Sequence, residues 1–255
     1  MRQMRRNFAD LRADEVTTRL GENSIIVQPL GAIEQHGPHL PLNTDVLIAN
    51  AVATAAVDQV GEELDAWLLP PLAYTRSNEH AWAPGTIWLR ATTLLALLDD
   101  IGHSIAATPA RKLVFFNGHG GNTAVVNVAN REIRLQEGLM TFLAHPSTPP
   151  DHGGASAEEE LGFGIHGGAD ETSLMLHLSG KLVDMTKATR NVPEWMAANE
   201  QVRFGGPVSF GWTSEDFGGH IGDPTVATAA RGEQLYDAAV ENFCTALREI
   251  ATFEL

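Results

Sequence analysis

The sequence has one cysteine and no long hydrophobic run, and both shortages exclude classes of protein. Cys244 is the single cysteine among 255 residues, so no internal disulfide can form, which is typical of a reducing compartment. The longest apolar stretches, such as residues 94–98, are far shorter than the roughly 20 residues of a membrane helix. Acidic residues at positions 10, 14 and 15 stand where a signal peptide would be apolar. We therefore expect a cytoplasmic protein with no membrane partner.

Basic residues are scarce as well. The chain has 17 Lys and Arg against 32 Asp and Glu, a formal charge of −15 with neutral histidines. Such an acidic surface repels nucleic-acid phosphates, so we expect no nucleic-acid partner and a neutral or cationic substrate. The motifs HExxH, GxSxG and CxxC are also missing. A single-helix zinc protease, a serine-hydrolase elbow and a thiol redox site are therefore without support.

What the sequence does contain is a regular succession of short apolar runs, glycine-rich or polar turns, and helical periods. Strands are predicted at residues 24–30, 66–72, 112–117 and 140–144, and helices at 45–60, 92–107, 123–136, 170–178 and 224–253. Thr44 is predicted to cap the first of these helices and Gly61 to end it. Helices between consecutive strands predict a mainly parallel sheet covered by helices on both faces.

The stretch from residue 146 to 168 is rich in glycine, and a second glycine-rich loop is predicted at 205–223. We interpret the first stretch as an irregular excursion within one domain, because residues capable of chemistry follow it immediately. The chain is therefore predicted to form a single domain over residues 1–255.

Polar side chains are concentrated after the predicted strands, where open parallel sheets bind ligands. The segment GAIEQHGPHLPLNTD at 31–45 follows the first strand, NGHGGN at 117–122 follows the third, and HGGADETS at 166–173 opens a later helix. Imidazole and carboxylate groups suit zinc, manganese or iron(II), and a carboxylate can bridge a metal pair. The three segments therefore predict a metal centre.

Each segment also has a simpler interpretation. Glu34 and His36 can belong to a solvated loop, and His119 can be a turn residue among glycines that form a phosphate-binding nest. The loop at 118–122 lacks the Lys-Ser/Thr of a P-loop and the spacing of a dinucleotide fingerprint, which argues against a nucleotide.

The three segments, together with EHAWAPGTI at 79–87 and GDPTVATAARG at 222–232, resemble the creatininase family of metal-dependent amidohydrolases. The similarity runs from about residue 20 to 245, with the five motifs in order. The family includes creatinine amidohydrolase, a formamide hydrolase of archaeal flavin and deazaflavin biosynthesis, and the peptidase of mycofactocin maturation. The resemblance implies a three-layer α/β/α sandwich with a mainly parallel central sheet and two divalent ions per subunit (Zn, Mn or Fe(II)). It also implies hydrolysis of an amide C–N bond by a homo-oligomer, commonly a homohexamer.

The resemblance also implies roles for particular residues. Four residues match the family's metal ligands, with Asp45 in the bridging place: Glu34, His36, Asp45 and His119. Creatinine amidohydrolase has a glutamate two residues after the histidine of NGH, where this chain has Gly121. That departure argues against creatinine as the substrate and makes Glu171 the fifth ligand and a catalytic residue. His166 is expected to contact the substrate or move a proton, or alternatively to support a neighbouring ligand.

The resulting hypothesis is hydrolysis of a small-molecule amide, either a cyclic amide or a formamide. One metal is expected on Glu34, Asp45 and His119, and the other on His36, Asp45 and Glu171, with metal-bound hydroxide attacking the amide carbon. Two alternatives stay open. The chain could be a peptidase that admits a modified peptide through an open groove, or a metal-stabilised binding or scaffold protein without turnover.

Five residues near these motifs are candidates for substrate binding: Glu79, His80, Trp82, Asn122 and Trp212. Trp82 and Trp212 could wall off a small, flat substrate from water, and they could equally pack at a subunit interface. Asn122 could also orient His119 or cap the following helix.

Overall fold

A computed structural model of the protein describes residues 6–146 and 158–255. At its centre is a four-stranded parallel sheet in the order β2-β1-β3-β4, formed by β1 (Ile25–Leu30), β2 (Ala66–Leu68), β3 (Lys112–Asn117) and β4 (Met140–Ala144). β1 and β3 pair over their whole length, from Ile25 opposite Lys112 to Leu30 opposite Asn117. Every residue of these two strands is buried, as expected where helices cover both faces of a parallel sheet.

Six α-helices surround the sheet in the part of the chain that the structure describes. They are α1 (Ala13–Arg19), α2 (Thr44–Leu64), α3 (Ala91–Ala106), α4 (Thr123–Glu137), α5 (Ala169–Ser179) and α6 (Ala229–Thr252). Alternate residues of β1 and β3 pack against α2 and α6 on one face, and the intervening residues pack against α3 and α4 on the other. The predicted three-layer α/β/α sandwich is therefore confirmed. α5 packs against α6 at the side of this core.

The long helix α2 starts and ends differently from the prediction. Thr44 is the first helical residue, and its hydroxyl donates to the Pro41 carbonyl (2.8 Å) instead of capping the first turn. The helix continues through Gly61 and ends at Asp65, which has a left-handed backbone with φ 52°. A β-carbon on Gly61 would lie 3.0 Å from the Ala66 carbonyl oxygen, so this glycine permits close packing of α2 on β2. The predictions that Thr44 caps and Gly61 ends the helix were wrong.

Two other predicted elements are shorter in the structure. β2 ends at Leu68 because two prolines follow and cannot donate to the ladder, and only an isolated bridge from Leu30 to Leu72 continues the pairing. The predicted last helix is divided into a 3-10 turn at Pro224–Val226 and α6, which Thr228 caps by accepting from Arg231 N at 3.1 Å.

The predicted excursion at 146–168 lies partly outside the described residues. Among the described helices, none has the length and apolar character needed to span a membrane.

The end of α2 gives a first testable prediction. The Asp65 carboxylate accepts from Arg6 Nη1 at 2.6 Å and from Trp67 Nε1 at 2.9 Å. Asp65→Ala removes both bonds and a third from Ser24 Oγ, and it leaves alanine in a left-handed conformation. We therefore expect a loss of about 1–3 kcal/mol in the free energy of unfolding, measured by urea denaturation. The control Asp58→Ala, on the exposed side of α2, is expected to change it by less than about 0.5 kcal/mol. Equal stabilities of the two variants would contradict the prediction.

Candidate metal centre

Five side chains from four segments meet at the carboxyl edge of the sheet. Glu34 and His36 lie in the loop after β1, and His119 lies in the loop after β3. Asp45 and Glu171 lie in the first turns of α2 and α5. The register of β1 with β3 sets the ends of the two strands side by side, so the loops that follow them share one edge of the sheet. The fold thus brings together all five predicted metal ligands.

Contacts among these side chains form two groups that share Asp45. In the first group, His119 Nδ1 lies 3.3 Å from Asp45 Oδ2, and His119 Nε2 lies 3.3 Å from Glu34 Oε2. In the second group, His36 Nε2 lies 2.9 Å from Asp45 Oδ1 and 3.9 Å from Glu171 Oε1. Within each group the potential ligand atoms lie within 4.8 Å of one another. Each group can therefore hold one ion, with Asp45 offering an oxygen atom to both.

Burial of the carboxylates provides a test of whether metal ions fit this site. Glu34 is 0% exposed and Asp45 is 1% exposed. Both carboxylate oxygens of Glu34 and Oδ2 of Asp45 lack a hydrogen-bond partner among the described residues. An unpaired buried carboxylate costs several kcal/mol, whereas a divalent cation would compensate its charge. Because carboxylate oxygen and imidazole nitrogen are also the ligands that zinc, manganese and iron(II) accept, the residues present fit such ions.

Without a bound cation, protonated imidazoles compensate the carboxylates. Burial acts to lower the pKa of His36, but Asp45 and the other nearby carboxylates outweigh it and raise this pKa to about 10. The pKa of His119 is also raised well above its usual value, because Glu34 and Asp45 overcome the effect of burial. Burial raises the pKa of Glu171 to about 7, although His36 opposes the rise. The second group therefore holds exchangeable protons near neutral pH.

His166 lies between His36 and His80, with ring centroids 4.3 and 4.1 Å away. Its Nε2 atom lies 2.7 Å from the Gln35 carbonyl oxygen and 3.0 Å from the Gln35 side-chain nitrogen, and its Nδ1 atom lies 3.7 Å from Glu34 Oε1. Burial and the neighbouring imidazoles hold the pKa of His166 well below its usual value. The Nδ1 atom therefore faces the candidate ligands, where the ring can move a proton or support a ligand.

A cavity of about 550 Å³ opens over the two groups of ligands. Glu34, Asp45, His119 and Glu171 are among the residues that line it, and Phe204, Phe210 and Trp212 form an aromatic wall. Of the residues predicted to bind substrate, Glu79, His80 and Trp212 line this cavity. Trp82 does not; its indole Nε1 donates to Ser214 Oγ at 2.7 Å, and 43% of the residue is exposed.

Asn122 has a structural position behind the cavity. The residue is fully buried, and its Nδ2 atom donates to the Gly31 carbonyl (3.3 Å) and to Asn117 Oδ1 (3.1 Å), while its Oδ1 atom accepts from Arg76 N (3.1 Å). Its side chain makes no capping bond to α4, so the capping interpretation was wrong. Asn122 fastens the loop after β1 to the loop that carries His119, and the structure does not place it on the cavity wall.

The predicted substrate-binding residue Glu79 belongs to a pair that the sequence analysis missed. Arg76 Nη1 lies 2.9 Å from Glu79 Oε2, and Glu79 Oε1 lies 3.4 Å from His119 Nε2. Burial acts to raise the pKa of Glu79, but His119 and Arg76 outweigh it and lower this pKa to about 2. A β-carbon on Gly121 would overlap Glu79 Oε1. Gly121, at the position where creatinine amidohydrolase is expected to have a glutamate, was the sequence feature that could have indicated this pair, because it makes room for another carboxylate beside His119.

Fold and site together define an α/β protein with a largely buried carboxylate–histidine cluster that could hold divalent metal ions. A model of the creatininase family, described as creatinine amidohydrolase, matches residues 9–247. The chain belongs to the creatininase family, which confirms the resemblance that its motifs indicated.

Known relatives of the chain act on different substrates. A mycofactocin precursor peptide peptidase from Mycobacterium ulcerans is 38% identical over 223 residues, covering 85% of this chain and 82% of the relative. A creatinine amidohydrolase from Pseudomonas putida is 30% identical over 241 residues, covering 88% and 89%. A solved structure of a mutant creatininase of Zn-Zn type has a TM-score of 0.74 at 26% identity, covering 98% of this chain and 100% of that chain. Family and fold are thus established, whereas the relatives differ in the bond that they cleave.

The raised pKa values predict that metal binding releases protons. His36 and His119 must be neutral to act as ligands, so Zn²⁺ added to the metal-free protein near pH 7 is expected to displace about two protons. Isothermal titration calorimetry in buffers of different ionisation enthalpy measures this number. The apparent affinity is expected to fall as the pH is lowered, because protons then compete more strongly. His103→Gln, which removes an imidazole that is 76% exposed, is a control that is expected to change neither quantity. Zinc binding by the wild type without proton release would contradict the prediction.

Proposed function

We propose that this protein is a metal-dependent amidohydrolase that cleaves an amide C–N bond. The proposal rests on the pair of ligand groups that share Asp45, in which three buried carboxylate oxygens have no hydrogen-bond partner among the described residues. The similar fold of a creatininase described as Zn-Zn type supports two ions in such a site. We propose two divalent ions per subunit, zinc, manganese or iron(II), and a cytoplasmic homohexamer.

The residues of the chain have separate parts in such a reaction. Bound divalent ions would activate a water molecule and polarise the amide carbonyl. We assign to His166 the transfer of a proton from the attacking water to the departing nitrogen, because its Nδ1 atom lies 3.7 Å from the Glu34 carboxylate at the candidate centre. This proton matters because an unprotonated amine anion is a very poor leaving group. Trp212 and Phe210 would exclude bulk water from the cavity.

A peptide is a second candidate for the substrate. The 38% identity to a mycofactocin precursor peptide peptidase supports it, since the creatinine amidohydrolase relative is 30% identical. The cavity supports it as well, because about 550 Å³ is enough for a ligand much larger than one small amide ring. A cyclic amide or formamide of a small molecule is the other candidate.

The charge of the cavity supports an anionic substrate of either kind. Four carboxylates and two arginines, Arg76 and Arg203, line it. Two divalent ions would balance the four carboxylates and leave the guanidinium charges in excess. Arg76 is paired with Glu79, and among the described residues Arg203 has no ion-pair partner, so we propose Arg203 as the arginine that pairs with an anionic ligand. This proposal differs from the neutral or cationic substrate expected from net charge, which describes the outer surface rather than the site.

Asp45 provides the direct test of the dinuclear centre. Asp45→Asn removes the negative charge that both groups share, so we expect the protein to lose paired metal binding and at least about a thousandfold of its turnover. Elemental analysis and a panel of N-formyl compounds, cyclic amides and peptides measure the two effects. His103→Gln serves again as the control for an imidazole outside the site. An Asp45→Asn protein that binds two ions and has near-normal turnover would contradict the proposal.

Arg203 provides the test of substrate charge. We expect substrates with a free carboxylate near the scissile amide to show a kcat/KM at least about tenfold higher than their carboxamide analogues, because a guanidinium pairs well with a carboxylate. Arg203→Gln is expected to remove this preference mainly through KM. Arg131→Gln, an exposed arginine on α4, is the matched control and is expected to retain it. Equal rates for both members of each substrate pair would refute an anionic substrate.

A further inference from the structure

Glu160 is a fully buried carboxylate that lies outside the predicted metal centre. It ends the short acidic helix Glu158–Glu160, and it is 0% exposed. Its Oε1 atom accepts hydrogen bonds from two backbone amides that are distant in sequence, Ala169 N at 2.8 Å and Asp223 N at 2.7 Å. One side-chain atom therefore joins the start of α5 to the segment that precedes α6.

Three glycines provide the space for this carboxylate. A β-carbon would lie 2.5 Å from Glu160 Oε1 if built on Gly168 and 2.6 Å if built on Gly222, and on Gly164 it would overlap the carboxylate. Gly168 has φ −84° and ψ −162°, an extended backbone that other residues can adopt. The requirement for glycine at position 168 therefore comes from the Glu160 side chain and not from backbone conformation.

The first amide that Glu160 holds belongs to the helix that carries Glu171. Ala169 is the first residue of α5, and the Glu171 side chain leaves the same turn. Glu171 Oε2 accepts from Gly167 N at 2.5 Å, so its carboxylate is oriented by the turn that leads into the helix. The hydrogen bond from Ala169 N to Glu160 Oε1 therefore holds the residue that follows this turn.

The second amide that Glu160 holds belongs to the segment that pairs with His166. Ile221 and His166 form an antiparallel bridge, in which Ile221 N donates to the His166 carbonyl at 2.7 Å. Asp223 follows two residues later. The bond to Asp223 N therefore holds the backbone against which His166 is aligned.

We propose that Glu160 is a positioning residue for the ligand group of His36, Asp45 and Glu171, and for His166, acting through the backbone that carries Glu171 and His166. The inference rests on the proposed metal centre. The other ligand group, Glu34, Asp45 and His119, lies on the loops after β1 and β3 and on α2, whereas the two amides that donate to Glu160 belong to the start of α5 and to the segment before α6. Loss of Glu160 therefore weakens one of the two metal positions selectively.

Metal stoichiometry tests this selectivity. For Glu160→Ala, dialysis against limiting Zn²⁺ followed by elemental analysis is expected to show one bound ion per chain where the wild type has two. Glu160→Gln keeps an oxygen acceptor at Oε1 and is expected to recover the second ion. Glu159→Ala, which changes the exposed neighbour in the acidic helix, is the matched control and is expected to retain two ions.

Hydrogen exchange of the metal-free proteins gives a readout that does not depend on metal or activity. In Glu160→Ala, the amides of residues 166–172 and 221–224 are expected to exchange at least about tenfold faster, because their shared acceptor is gone. Unchanged protection of β1, β3 and α2 would show that the variant is folded. If that protection were lost too, the conservative Glu160→Gln and Gly168→Ala variants would carry the test.

A double-mutant cycle tests whether the effect of Gly168→Ala depends on the Glu160 carboxylate. Gly168→Ala places a β-carbon against Oε1 and is expected to reproduce the loss of the second ion, whereas the same change in a Glu160→Ala protein is expected to have no further effect. Two bound ions and wild-type exchange in Glu160→Ala would overturn the positioning role. A wild-type protein that binds no metal would instead overturn the proposed centre, while faster exchange in the variant would still establish that Glu160 orders the backbone.

Discussion

The burial of several carboxylates at one end of the sheet is the constraint on which the rest of the structure depends. Glu34 and Asp45 lie almost entirely out of water, and Glu79 is 8% exposed. Buried carboxylates that lie this close together repel one another and have lost their hydration, so they need compensating positive charge. The nearby carboxylates raise the pKa of His36 and of His119, so protonated imidazoles can provide this charge. Divalent ions would provide it while leaving the imidazoles as neutral ligands.

The fold meets this constraint by placing the acidic groups on backbone that is itself rigid. β1 and β3 are buried at every residue, and their parallel register fixes the starting points of the loops that carry Glu34 and His119. Asp45 lies in the first turn of α2, where the helix dipole and free amides favour a negative charge. Glu171 has the corresponding position in α5. A centre built on strand ends and helix starts keeps its geometry even though its charges repel.

Sequence patterns predicted the layered fold because they depend on local properties. The run KLVFFN has four apolar residues at 113–116 between Lys112 and Asn117, and the structure gives this strand the predicted bounds. The ends of α2 were predicted less well, because they depend on contacts between distant residues. The carboxylate of Asp65, the residue at which α2 ends, binds Arg6, which is 59 residues away. Gly61 lies inside the helix, where its missing side chain allows the close approach of Ala66 in β2.

In the candidate site too, features carried by a short segment were predicted well, and features that depend on residues distant in sequence were not. Motif order predicted the five candidate ligands, and the structure brings them together, because each motif is a short segment that carries its own ligand. The supporting carboxylates were harder to recognise, since the signal for them lies in the glycines of other segments. Gly121 leaves space for Glu79, and Gly168 leaves space for Glu160. A glycine near a buried charged cluster can therefore provide space for the side chain of a distant residue, as well as allow the backbone to turn.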